Sequence, residues 1–215
     1  MALAWTYATL FQAIQDWTEN DATEFTTTVL DQIIGLGELR IAKEAPKLTI
    51  FNKPTASTIA LSSGATIVTA PTGIITPRWL RIQNGAYLLQ KDESFIRAYQ
   101  PATGTNDGSP RFYAWAEDGE TSLLIGPAAD AAYTLEIGYT YRPDGLTSSN
   151  TTTWLGTNAP DAILYACLLE SMAFMKEEAQ EQKRWEDMYG RALTTLKGEE
   201  EKRRRTDEYR AGTSE

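Results

Sequence analysis

Along the first 45 residues apolar side chains recur every three or four positions, the spacing of helices that keep one face dry. Tyr7, Leu10, Phe11, Ile14 and Trp17 form one such stripe, opened by Thr6 as N-cap. After Glu19-Asn20-Asp21 a second stripe of Phe25, Val29, Ile33 and Leu36, widened by Leu30, Ile34 and Ile41, ends before Pro46. A helix apolar over that arc is expected to be covered from two sides. Its Gly35-Leu36-Gly37 step lacks the preceding strand and the Gly-Lys-Ser/Thr of a phosphate loop, and reads as close helix packing or a kink.

From Leu48 to Arg142 the vocabulary changes to Thr, Ile, Val, Tyr, Trp, Gly and Pro, the material of short strands and turns. Strands are predicted at Ser57–Leu61, Thr66–Ala70, Trp79–Gln83, Ala86–Gln90, Arg111–Ala114, Ser122–Ile125 and Thr134–Tyr141. In the last, Leu135, Ile137, Tyr139 and Tyr141 share one face and Thr134, Glu136, Gly138 and Thr140 the other. Asn84-Gly85 predicts a type I′ hairpin, whose two central residues both need positive φ, and Asp118-Gly119 marks another. Asp92–Tyr99 reads as a short helix, followed by the turn-rich surface loop PATGTNDGSP.

The chain then turns at Asp144-Gly145, crosses the polar loop SSNTTTWLGT and enters a helix at Asn158, with Asn158 as cap, Pro160 in the first turn and Asp161 facing the positive helix end. Ile163, Ala166, Leu169 and Ala173, flanked by Leu164, Leu168, Met172 and Met175, make that helix apolar on most sides. Lys176-Glu177-Glu178 begins a polar bend, and Trp185, Met188, Tyr189, Ala192 and Leu196 stripe a final helix. The expected fold is α+β: an antiparallel bundle of two N-terminal and two C-terminal helices (6–45 and 158–197) with a β-rich insertion (48–142). Residues 1–198 are expected to form one domain and residues 199–215 a charged arm. In that arm Glu199, Glu200 and Glu201 stand four residues before Arg203, Arg204 and Arg205, so helix can persist past Gly198.

Of 215 residues 42% are hydrophobic, enough for a sizeable core. The apolar runs fall far short of the ~20 residues that span a bilayer, and MALAWTYATLFQ lacks the basic start of a signal peptide. A soluble protein made in the cytoplasm is expected. The single cysteine, Cys167, sits among leucines as a buried structural thiol. A net charge of −9 argues against a body that grips nucleic acid by releasing counterions. From Lys197 onward six basic residues meet six acidic ones, so the excess belongs to the body, 14 basic against 23 acidic.

Chemistry is scarce. There is no histidine, and nucleophile-elbow, Walker, EF-hand and zinc-ligand patterns are missing. The carboxylate pairs Asp92/Glu93 and Asp207/Glu208 read as solvated charge, and the Asn150-Thr151-Thr152 sequon carries no weight in a cytoplasmic protein. No catalytic, cofactor or metal residue is singled out, and no enzyme activity is expected.

Several strings carry a resemblance: TYATLFQAIQDWTEN, SPRFYAW, LLIGPAADAAYTLEIGYTYRP, NTTTWLGTNAPDAILYACLLES and EEEKRRRTDEYR. With the order helix, helix, β insertion, helix, helix, charged tail, the chain resembles the head-to-tail adaptor (connector, or head-completion) proteins of tailed bacteriophages, especially short-tailed ones. The resemblance implies a structural virion protein at the neck. It implies a homo-oligomeric ring, typically of twelve copies, under the portal protein, with a tail nozzle or tail-tube protein below. DNA passes through the ring without specific binding, and no membrane or cofactor is involved. By the same analogy Arg203, Arg204, Arg205, Tyr209 and Arg210 anchor the arm to the portal. Thr103, Asn106, Asp107 and Arg111 are expected to face the tail side or a neighbouring subunit. The free protein is expected to be monomeric and to form rings on the portal. Readings from other classes are a soluble scaffolding or tail-fibre attachment module elsewhere in the virion, and a virion-associated cell-wall hydrolase.

Overall fold

The computed structural model describes residues 3–20, 23–100, 104, 107–116, 121–176 and 179–203. In chain order these form α1 (Tyr7–Thr18), α2 (Thr27–Glu44), a 3₁₀ turn (Thr49–Phe51), β1 (Ser57–Leu61), β2 (Ile67–Thr69), β3 (Ile74–Ile82), β4 (Tyr87–Gln90), α3 (Glu93–Tyr99), β5 (Phe112–Trp115), β6 (Ser122–Gly126), β7 (Tyr133–Tyr141), α4 (Trp154–Asn158), α5 (Pro160–Met175) and α6 (Ala179–Arg203). The fold is α+β, in two compact units: a helical one of residues 1–51 with 143–215, and a β one of residues 52–142.

In the helical unit, α5 packs against α1, α2, α4 and α6. Its residues Ala162, Ile163, Ala166, Cys167 and Leu168 are wholly buried. The tightest approach is at Gly37 of α2, where an added Cβ would stand 2.9 Å from Cys167 Sγ and 3.2 Å from its backbone nitrogen. Gly37 is thus a packing glycine, whereas Gly35 faces open space. Thr6 caps α1 as expected, its hydroxyl accepting from Thr9 N at 3.3 Å. Trp5 ties the chain start to the later helices: its backbone N–H donates to Gly156 O and its indole to Pro160 O, both at 2.8 Å.

Three local expectations are corrected here. Asn158 does not cap the long helix. It closes α4, which Thr153 caps through Gly156 N, and its amide donates back to Trp154 O. Trp17 and Leu36, assigned to dry stripes, are about half exposed. Each lies at the rim of an arc narrower than the periodicity implied.

In the β unit the strand order is β1-β7-β3-β4-β5-β6-β2. All neighbours are antiparallel except β4 and β5, a parallel pair whose crossover carries α3. The terminal strands β1 and β2 approach one another, so the sheet is nearly closed around Leu80, Leu123, Ile125, Leu135 and Ile137, each fully buried. Burying each of these contributes roughly 1.5–3 kcal/mol. β3 begins at Ile74, five residues before the expected strand, because Pro77 interrupts the ladder only at irregularities on either side of it. The hairpin after β3 forms, but not with a type I′ turn: Asn84 has φ 56 while Gly85 is not left-handed. Gln83, Asn84 and Gly85 make a three-residue connection closed by Ile82 N donating to Ala86 O at 3.0 Å. β5 and β6 pair as a hairpin; Asp118 and Gly119 lie outside the described residues.

The glycine pair gives a direct test. Gly37→Ala should destabilise by about 1–3 kcal/mol through overpacking, whereas Gly35→Ala should be neutral or stabilise by up to about 1 kcal/mol through helix propensity. Urea denaturation followed by far-UV circular dichroism measures both; equal effects would refute close α2–α5 packing.

Candidate interaction surfaces

Three buried polar anchors shape the helical unit. Glu38 of α2 turns inward, and both its carboxylate oxygens accept from Leu146 N, at 3.0 and 3.2 Å, just after the chain leaves the β unit. Gly145 lies against the same carboxylate, where no side chain would fit. Burial raises the Glu38 pKa, opposed by the Leu146 hydrogen bond. Arg40, one turn from Glu44 on α2, donates to Glu170 of α5 at 2.7 Å. From α6 the Tyr189 hydroxyl is pushed upward by burial and then by Glu44. Glu200, near the end of α6, is buried and accepts from Thr49 N at 3.1 Å, capping the 3₁₀ turn.

That last contact bears on the arm. α6 runs unbroken past Gly198 to Arg203, so residues 199–203 are helical and Glu200 docks inside the helical unit. Of the residues named for portal contact, Arg203 ends α6, while Arg204, Arg205, Tyr209 and Arg210 lie outside the described residues. Thr103 and Asn106 lie outside them too. Asp107 is described and is held locally, accepting from Gln100 Nε2 and Gly104 N, both at 2.9 Å. Arg111 is exposed, with its backbone in the β4–β5–β6 ladder through Leu89 and Gly126. The structure therefore brings Asp107 and Arg111 to the segment leading into β5 and leaves the other positions undescribed.

The outer side of the β unit carries a surface that periodicity alone did not reveal. Trp79 of β3 meets Tyr87 of β4 edge-on at 5.8 Å. Leu89, two residues on and on the same face, is opposite Phe112 of β5. Phe112 in turn meets Phe95 and Tyr99 of α3 at 5.2 and 5.5 Å. Trp79 lies flat over Gly138 of β7, whose missing Cβ makes room for the indole. Tyr87 and Leu89 are about 60% exposed, Phe95 and Tyr99 about 40%. The signal was present: AYLLQ is apolar on both strand faces, and DESFIRAY places two aromatics four apart.

Chemical alternatives find little support in geometry. Glu93, one of the candidate acid-base carboxylates, is engaged by Arg97 at 2.5 Å; Asp207 and Glu208 lie outside the described residues. The hollow of about 1050 Å³ beside β2 and β3, lined by residues including Thr72, Ile74, Trp115 and Arg142, contains no carboxylate in its lining. Among the described residues no group of three His, Cys, Asp or Glu could hold a metal, and no helix is long and apolar enough to cross a membrane. The Cys167 thiol is pushed up by burial and then by the Glu38 and Glu170 charges, so it resists ionisation.

Comparison with known proteins gives one match. The model of a family described as SU10 adaptor protein matches residues 5–214. No curated protein matches the chain.

Glu38 yields a pH prediction. Its folded pKa lies above its unfolded one, so its stabilising contribution is full below the unfolded pKa and is lost as pH rises through the folded value. Glu38→Gln keeps an acceptor for Leu146 N without the titration. The stability of wild type relative to Glu38→Gln should therefore increase as pH falls from 8 to 5, read from urea midpoints. A pH-independent difference would refute the assignment.

Proposed function

The chain belongs to the SU10 adaptor protein family, and from that premise we propose that it is a structural protein of the virion neck in a tailed, podovirus-like phage. Copies form a ring, twelve by family analogy, that joins the portal of the head to the tail and continues the DNA channel. The observation that carries this reading is the extent of the match, residues 5–214, which takes in the helices, the sheet and the segment beyond Arg203. The protein works by assembly and catalyses nothing.

Charge fits such a conduit. Residues 52–142 hold 7 basic and 8 acidic residues, which leaves 13 and 21 for the helical unit, a net −8. A wall of that sign repels the phosphate backbone and lets DNA move without being held. The helices make an antiparallel bundle, and with the β insertion they act as one adaptor domain. Arg203, Arg204, Arg205, Tyr209 and Arg210 anchor the C-terminal end to the portal, being the residue types that dominate interface energetics. Thr103, Asn106, Asp107 and Arg111 face the tail side or the next subunit.

Because Glu200 is built into the helical unit, the discriminating truncation begins after Arg203. A chain ending there should keep its thermal unfolding transition and lose portal affinity at least tenfold, measured by surface plasmon resonance against purified portal. Undiminished binding would overturn the portal assignment.

A further inference from the structure

The aromatic outer face of the β unit is not used by the portal and loop contacts above. We propose that this face, Trp79, Tyr87, Leu89, Phe95, Tyr99 and Phe112, is where one copy packs against the β unit of a second copy; the inference rests on the ring reading and adds the surface that closes the ring. The six side chains form one continuous strip from β3 across β4 and β5 to α3. A strip of this kind on a soluble chain marks a protein contact, with aromatic anchors at its centre.

Charge selects the occupant. The strip is electrically self-contained: Arg81, over the rings of Trp79 and Tyr87, is paired with Glu136 at 2.6 Å, and Arg97 is paired with Glu93 at 2.5 Å. Lys91 sits over the Phe95 ring. Two helical units brought together would oppose −8 to −8, whereas two β units oppose only −1 to −1. At contact distances, well inside a Debye length of about 8 Å, that repulsion is not screened away. Copies of this chain therefore associate at least electrostatic cost through their β units, and the strip supplies the apolar surface there. The contact is heterologous, one copy's strip on another region of its neighbour's β unit, as a closed ring requires.

The test uses full-length protein and purified portal, with native mass spectrometry counting copies per portal. Wild type should fill portals in an all-or-none manner. The double variant Tyr87→Asp/Leu89→Asp, at exposed positions and checked for an unchanged thermal transition, should give partial occupancies and need about tenfold more protein for half-filling. All-or-none filling by the variant overturns the proposal. So does an equal loss from Leu36→Asp, an exposed apolar position of the helical unit. A photo-crosslinking phenylalanine in place of Tyr87 keeps the question decidable if the double variant misfolds. Crosslinks to residues 52–142 of another copy support the proposal, and capture only of portal, tail protein or nothing overturns it. If wild type fails to bind portal, the ring reading falls by itself, and crosslinking of free protein at several hundred micromolar still decides the face.

Discussion

Helix α5 has almost no polar side to offer to water, and that constraint organises the helical unit. With Ala162, Ile163, Ala166, Cys167 and Leu168 all fully buried, it is stable only when covered on most sides, and α1, α2, α4 and α6 provide the cover. Its small residues set the distance. Ala166 and Cys167 meet Gly37 so closely that no side chain fits between α2 and α5. Close approach brings Arg40 within reach of Glu170, and a buried ion pair of this kind fixes register more than it adds stability.

The β unit solves the opposite problem. Seven strands of three to nine residues must hide one face with no helix inside, and near closure does so by bringing the terminal strands β1 and β2 together. Closing a sheet this way leaves its convex side to be covered by something else. α3 covers part of it, over Ala114 and Leu124 through Ile96. Beyond α3 the convex side stays apolar, and the chain spends Gly138 there to seat a tryptophan flat on the sheet. A surface residue held that carefully serves recognition better than solubility.

What could be read in the sequence was what depends on neighbours along the chain. The Thr6 cap, the alternation in β7 and the apolar girth of α5 all follow from spacing within a dozen residues. Boundaries failed where a local signal was overridden. Pro77 suggested a strand end, yet bulges on both sides let β3 run through it. Asn84-Gly85 suggested a two-residue turn, yet the pairing of Leu80 with Leu88 leaves three residues to connect. Strand order and the parallel β4–β5 pair depend on contacts far apart in sequence, and periodicity carries no information about them. The aromatic strip was hidden for the same reason, since its members come from four elements and each alone looks like core. Arg204, Arg205, Tyr209, Arg210, Thr103 and Asn106 rested on resemblance alone, because surface charge and loop polarity name no partner.

The placement of charge links the two units to one task. An adaptor must bind other proteins firmly while leaving DNA ungripped, and a single uniformly acidic surface would weaken the first in serving the second. Here the excess is concentrated: 21 acidic against 13 basic residues in the helical unit, near balance in the β unit. Association between copies is cheapest where net charge is smallest and apolar surface greatest, and both conditions meet on the β unit. Repulsion of a polyanion is strongest where acidic residues gather, which is the helical unit. The insertion of a nearly neutral sheet between α2 and α4 thus separates, within one chain, the surface suited to holding from the surface suited to letting go.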